Sequence, residues 1–382
     1  TPKSVPDDTG NSELLLPVLP GIYQTHEYLP KLKGKRVGLV CNHTSLFDKT
    51  HLLDSLLNLG IEVVRIFVPE HGFRGEASAG SSIKDGVDSR TGLPVISLYG
   101  KTKKPAREHL QDLQVMVFDL QDVGVRFYTY ISNLHYVLEA ASEISLPVVV
   151  LDRPNPNGHY VDGPILQDSF KSFVGLHPIP LVYGLTIGEL AQMIIGEKWV
   201  SVQSDFSLSV IKCKNYKHSI PYVLPVKPSP NLPDMRSVLL YPGLCFFEGT
   251  QMSLGRGTDA PFQIYGHPRM TKWDTTFTPR ERPGASNPPQ KDLECRGYSL
   301  RSLDLDSLRA SRKIPISPLL KAHRLMPDSF FLKGNFFNLL AGTSELKAQI
   351  LAGKTEWEIR ESWRPGLDRF KKVRKKYLIY ED

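Results

Sequence analysis

At 382 residues the chain is too long for one ordinary core, which points to two domains or one large domain with an appendage. A hydrophobic share of 41% and a charged share of 23% are those of globular proteins and exclude a disordered or fibrous chain. The net charge of +7 favours approach to anionic molecules, but no basic stretch is interleaved with aromatics as nucleic-acid binding would require.

Residues 1–20 read as a polar, proline-containing leader of the kind left as a tether when a signal peptide is removed, although a chain cut at this point would look the same. From residue 36 the chain repeats one rhythm of apolar run, polar turn and helical stretch. The runs fall at 36–41, 62–68, 93–99, 115–120 and 146–152, and they are continuous rather than alternating, as parallel strands covered on both faces require. Helices are expected between them, one from Thr50 as cap to Gly60 as stop and one over residues 130–144. This alternation implies a Rossmann-like α/β sheet domain with right-handed crossovers, placed at residues 21–174.

Past residue 152 the rhythm breaks at a proline-rich connection. A helix opened by Thr186 and a strand over 206–213 follow, then a segment dense in Pro, Gly and aromatics, then terminal helices. Residues 175–382 are therefore expected to form a smaller, less regular α+β domain. The basic run at 369–376 reads as the solvated face of the last helix. Cys41, Cys213, Cys245 and Cys295 lie far apart without metal-ligand spacing and read as buried free thiols. No apolar run approaches the roughly 20 residues of a membrane span.

In an open parallel sheet, ligands bind beyond the carboxyl ends of the strands. Polar residues follow every predicted strand there: Asn42 and His43; Glu70 and His71; Tyr99; Asp119, Asp122, Arg126, Tyr128 and Tyr130; Asp152, Arg153 and Asn155. Glu70 stands apart, because helix caps after a strand prefer Ser, Thr, Asp or Asn. A carboxyl at an apolar strand end loses solvation, which favours the protonated form that a general acid needs. A second polar cluster with Asn231, Glu248, Arg256 and Thr258 sits in a Gly- and aromatic-rich segment expected to form the other wall of a cleft. Dinucleotide, nucleotide triphosphate, serine-hydrolase and zincin motifs are absent from the sequence.

The segments "VPEHGFRG", "FDLQDVGVRFYTYI", "VLDRPNPNG", "PSPNLP", "YPGLCFFEGT" and "SLGRGTDAPF" together resemble the bacterial exo-acting β-N-acetylmuramidases, long known as a conserved domain of unknown function. The resemblance implies hydrolysis of terminal, non-reducing β-1,4-linked N-acetylmuramic acid from peptidoglycan fragments, with no cofactor or metal. It implies a Rossmann-like domain joined to a smaller C-terminal domain, and makes Glu70 the catalytic carboxyl. Arg153, Arg126 or Arg256 then suits the lactyl carboxylate of muramic acid. Asp119 or Asp122 is a second carboxylate, with His71 and Tyr128 as auxiliaries. The substrate implies a periplasmic or secreted protein with a role in cell-wall recycling. Two other readings of the same rim are a metal-dependent hydrolase using His43, Glu70, His71, Asp119 and Asp122, and a non-catalytic muropeptide binder.

Overall fold

The computed structural model describes residues 16–73, 85–326 and 328–382. Most of the expected leader lies outside them. The chain opens with helix α1 (Thr25–Leu32), strand β1 (Val37–Cys41), a small hairpin of β2 (Leu46–Phe47) and β3 (Thr50–His51), helix α2 (Leu52–Asn58) and strand β4 (Val63–Val68). There follow β5 (Gly86–Val87), β6 (Pro94–Ser97), β7 (Val115–Asp119), α3 (Tyr130–Ser142), β8 (Val148–Leu151), α4 (Ile187–Gly196) and β9 (Leu208–Ile211).

These strands build a seven-stranded sheet in the order β5-β6-β4-β1-β7-β8-β9. Every pairing is parallel except β5 with β6 at one edge. The continuous apolar runs have the cause expected of them: β1 and β7 are buried along their whole length, with one core on each face of the sheet. The chain winds outward from β1 through β4 to β6, then returns across β1 to β7. The strand order therefore reverses beside β1, where an open α/β sheet leaves a crevice at its carboxyl edge.

Local signals account for several helix starts. Thr186 caps α4 with a reciprocal capping box to Glu189. Thr50 does not cap α2. It pairs in the β2–β3 hairpin, and the His51 side chain accepts from the Leu53 N–H instead. Both α4 and β9 lie beyond residue 174, the expected end of the sheet domain, yet β9 pairs with β8 and α4 packs on the sheet.

The remainder comprises α5 (Met235–Leu244), an antiparallel three-stranded sheet of β10 (Ile264–His267), β11 (Thr275–Phe277) and β12 (Cys295–Ser299) in the order β10-β12-β11, and five helices. The helices are α6 (Leu305–Ser311), α7 (Ser317–Leu325), α8 (Phe336–Ala341), α9 (Glu345–Leu351) and α10 (Glu356–Arg374). The larger of the two cores runs continuously from the sheet into this smaller α+β part. All four cysteines are buried and free of disulfides. In the basic run, Lys371, Lys372, Lys375 and Lys376 are exposed, while Phe370 and Arg374 turn inward. Among the described residues, no helix is long and apolar enough to cross a membrane.

Candidate active site

The apolar run of β4 ends at Pro69, and a tight turn follows at once. The Gly72 N–H bonds back to the Pro69 carbonyl, and His71 and Gly72 both take left-handed backbone, φ 71° and 72°. That conformation is uncommon outside glycine, although histidine takes it more readily than most residues. It fixes the chain direction just after Glu70 and leaves that carboxyl half-buried at the rim. Thr129 Oγ1 donates to Glu70 Oε2 at 3.5 Å. Tyr99 stands beside it: burial first, then the negative charge of Glu70, hold its phenol well above the ordinary range, so it remains a neutral donor.

From the next loop, Tyr128 and Tyr130 stack edge to face with ring centres 4.7 Å apart. The Tyr128 hydroxyl donates to the Pro228 carbonyl at 2.8 Å, and the Tyr130 hydroxyl accepts from Asn42 Nδ2 at 2.8 Å. Burial raises both phenols above their ordinary range, so neither acts as a base at neutral pH.

The facing wall comes from α5 and the 3-10 turn after it. Tyr241, Cys245 and Glu248 are four and three residues apart, the spacing of one helical face, and all three line the cleft. Arg256 Nη2 donates to Glu248 Oε1 at 2.5 Å, and its guanidinium lies over the Phe262 ring at 5.1 Å. Asn231 Nδ2 bonds the Gly284 carbonyl at 2.9 Å, which ties the proline-stiffened loop 284–289 to the same wall. Together they line one cleft of about 480 Å³, to which the sheet rim contributes Glu70 and the segment after α5 contributes Glu248 and Arg256. Such a volume suits one sugar unit with its substituents. A second cavity, beside the end of α10, holds no pair of carboxylates.

Of the residues expected at a site, Glu70, His71, Tyr128, Tyr130, Asn231, Glu248 and Arg256 line this cleft. The others do not, and each has another physical task. Asp119 and Arg153 form a closed two-point pair, with Nε to Oδ1 at 2.6 Å and Nη2 to Oδ2 at 2.9 Å, at side-chain exposures of 0% and 3%. Asp122 accepts from the Gly124 N–H at 2.7 Å and from the Tyr183 hydroxyl, and burial pushes its carboxyl up to about 6.

Arg126 is wholly buried and spends its terminal nitrogens on the carbonyls of Pro164, Ile179, Leu340 and Ala341. It thereby satisfies carbonyls at the end of α8, and burial brings its guanidinium down to about 9. Asn155 donates to the Leu185 carbonyl and accepts from the Asn157 N–H. It fills a space that only a glycine at 124 leaves open, since a Cβ there would lie 2.1 Å from its Oδ1.

Asn42 closes a local turn to Thr44 and supports Tyr130. His43 pairs with the Lys227 carbonyl, and Thr258 donates to the Gly255 carbonyl. Among the described residues, no group of three or more His, Cys, Asp or Glu is placed to hold a metal ion. The set expected for a metal hydrolase is dispersed accordingly.

Several lining residues lie outside the expected set: Thr129, Phe173, Ser229, Phe262, Phe336, Leu340 and the loop at 284–289. Tyr99, which follows the third predicted strand, is within reach of the strand-end rule. The apolar ones carry no signal that separates a cleft wall from a core.

Residues 37–236 match the N-terminal model of the exo-β-N-acetylmuramidase NamZ family, and residues 239–380 match its C-terminal model. The peptidoglycan β-N-acetylmuramidase NamZ of Bacillus subtilis is 42% identical over 378 residues, covering 93% of this chain and 89% of that protein. A crystal structure of a DUF1343 family protein from Bacteroides fragilis superposes with a TM-score of 0.88 at 46% identity, covering 96% of this chain and 100% of the other. A second DUF1343 family protein from the same organism gives 0.78 at 30% identity, covering 95% and 99%. By both halves of its sequence and by its fold, the chain belongs to the exo-β-N-acetylmuramidase family.

Proposed function

We propose that this protein releases terminal, non-reducing β-1,4-linked N-acetylmuramic acid from peptidoglycan fragments, with Glu70 as the proton donor to the glycosidic oxygen. The observation that carries the reading is the cleft itself, in which Glu70 and Glu248 face one sugar-sized space. Glycosidases of most kinds need two carboxyl groups across the scissile bond. Asp119 and Asp122 cannot fill the second place, because both are closed off in hydrogen bonds away from the cleft. Glu248 takes that place, as a base, as a nucleophile or as the carboxylate that steadies the acetamido group of the substrate.

Tyr99 and Thr129 orient the Glu70 carboxyl from one side. The aromatic walls Phe127, Phe173 and Phe262 exclude water around the bond to be cut. As part of the same reading we propose a periplasmic or secreted protein with a recycling role, because its substrate would lie in the cell wall.

The test is release of nitrophenol from para-nitrophenyl β-N-acetylmuramide beside the corresponding N-acetylglucosaminide, with and without EDTA. Turnover of the muramide alone, unaffected by EDTA, is the expected result. Turnover that EDTA abolishes and added metal restores would transfer the site to metal chemistry.

A further inference from the structure

Three arginines suit an anionic sugar by chemistry, and their surroundings in the fold differ. Arg126 is held by four backbone carbonyls, and Arg153 is held at two points by Asp119. Neither has a surface on the cleft. Arg256 does, and it is the one Arg or Lys among the described residues that line it.

Its contact with Glu248 is also of a different kind. The guanidinium of an arginine carries five N–H donors. Glu248 is its hydrogen-bond partner among the described residues, reached through Nη2 alone. A single-point pair leaves the two-pronged edge of the guanidinium unused, and that edge matches a carboxylate with two parallel hydrogen bonds. Phe262 beneath the ring plane holds the guanidinium in place while its partner changes.

Resting on the muramidase reading, we propose that Arg256 distinguishes a muramic acid from a glucosamine by exchanging Glu248 for the lactyl carboxylate of the substrate. N-acetylglucosamine has only a hydroxyl where muramic acid carries that carboxylate, so it cannot displace Glu248. The exchange has a chemical consequence. By taking the guanidinium, the correct sugar itself releases Glu248 from its ion pair for the reaction. Before the sugar binds, Glu248 is then a stand-in for the substrate carboxylate.

The exchange is tested by binding rather than turnover, with free N-acetylmuramic acid and its lactyl methyl ester titrated calorimetrically into the full chain. The ester keeps the sugar and removes the charge. The native protein should prefer the acid by about tenfold, the scale of one charge-assisted contact. In Arg256→Gln the two ligands should bind alike. In Glu248→Gln the preference should widen beyond the native value, because no internal carboxylate remains to be displaced. General damage to the cleft would weaken both ligands together and leave their ratio unchanged.

A native acid-to-ester ratio retained in Arg256→Gln, or a narrowed ratio in Glu248→Gln, overturns the exchange and leaves the muramidase reading standing. Binding of neither ligand by the folded native protein overturns both.

Discussion

Replacement of Glu70 by Gln should lower kcat on a muramide by roughly a hundredfold to ten-thousandfold, the usual contribution of a positioned general acid, with little change in KM. The reason is geometric. Gln keeps the size of the side chain and can still accept from Thr129 Oγ1, so the left-handed turn at His71 and Gly72 and the wall with Tyr99 are preserved. What is lost is a transferable proton at the half-buried end of β4. A residue that only shaped the cleft would instead raise KM on truncation. Steady-state kinetics of the purified variant separate the two cases, and a variant as active as its parent removes Glu70 from the chemistry.

Arg153→Met should produce the largest loss of stability, about 3–5 kcal/mol, because it leaves the Asp119 carboxylate buried without its partner. Asp119 closes the end of the central strand β7 with no exposure, and Ser45 Oγ donates to its backbone carbonyl at 2.6 Å. The loss is read as a shift of the denaturation midpoint in urea. Removing the charge as well, in Asp119→Asn with Arg153→Met, should recover a good part of it. Activity per folded molecule should stay near native, since neither side chain lines the cleft. Native stability combined with weakened binding of the muramide would instead restore Arg153 to the role its sequence context suggested.

These two predictions mark how far the sequence could be read. The strands were legible because parallel strands buried on both faces must be largely apolar, as β1 and β8 are along their whole length and β4 and β7 are apart from Arg65 and Asp119. The two-residue edge strand β5 was not, since its pairing with β6 leaves no periodicity to detect. The cap of α2 escapes the sequence because Thr50 is drawn into a hairpin, a tertiary demand that overrides its capping preference.

Glu70 stands out in the sequence for a chemical reason, being a poor cap in a position that usually holds a good one, and the fold places it on the cleft. Arg153 and Asp119 show the converse. Both follow predicted strands, as ligand-binding residues do, yet they lie 34 positions apart in sequence and neutralise each other. Sequence position identifies the rim, but only the fold shows which charges on it are already spent. Arg126 repeats the lesson, because the carbonyls it serves at Leu340 and Ala341 lie more than 200 residues away.

The most direct test of the central claim is a crystal structure of the Glu70→Gln variant soaked with the disaccharide β-1,4-linked N-acetylmuramyl-N-acetylglucosamine. The account predicts the muramyl ring in the cleft between Glu248 and residue 70, with the glycosidic oxygen within hydrogen-bond reach of the amide that replaces the Glu70 carboxyl and the lactyl carboxylate on Arg256. A disaccharide bound elsewhere, or one whose glycosidic oxygen lies beyond reach of residue 70, would contradict it.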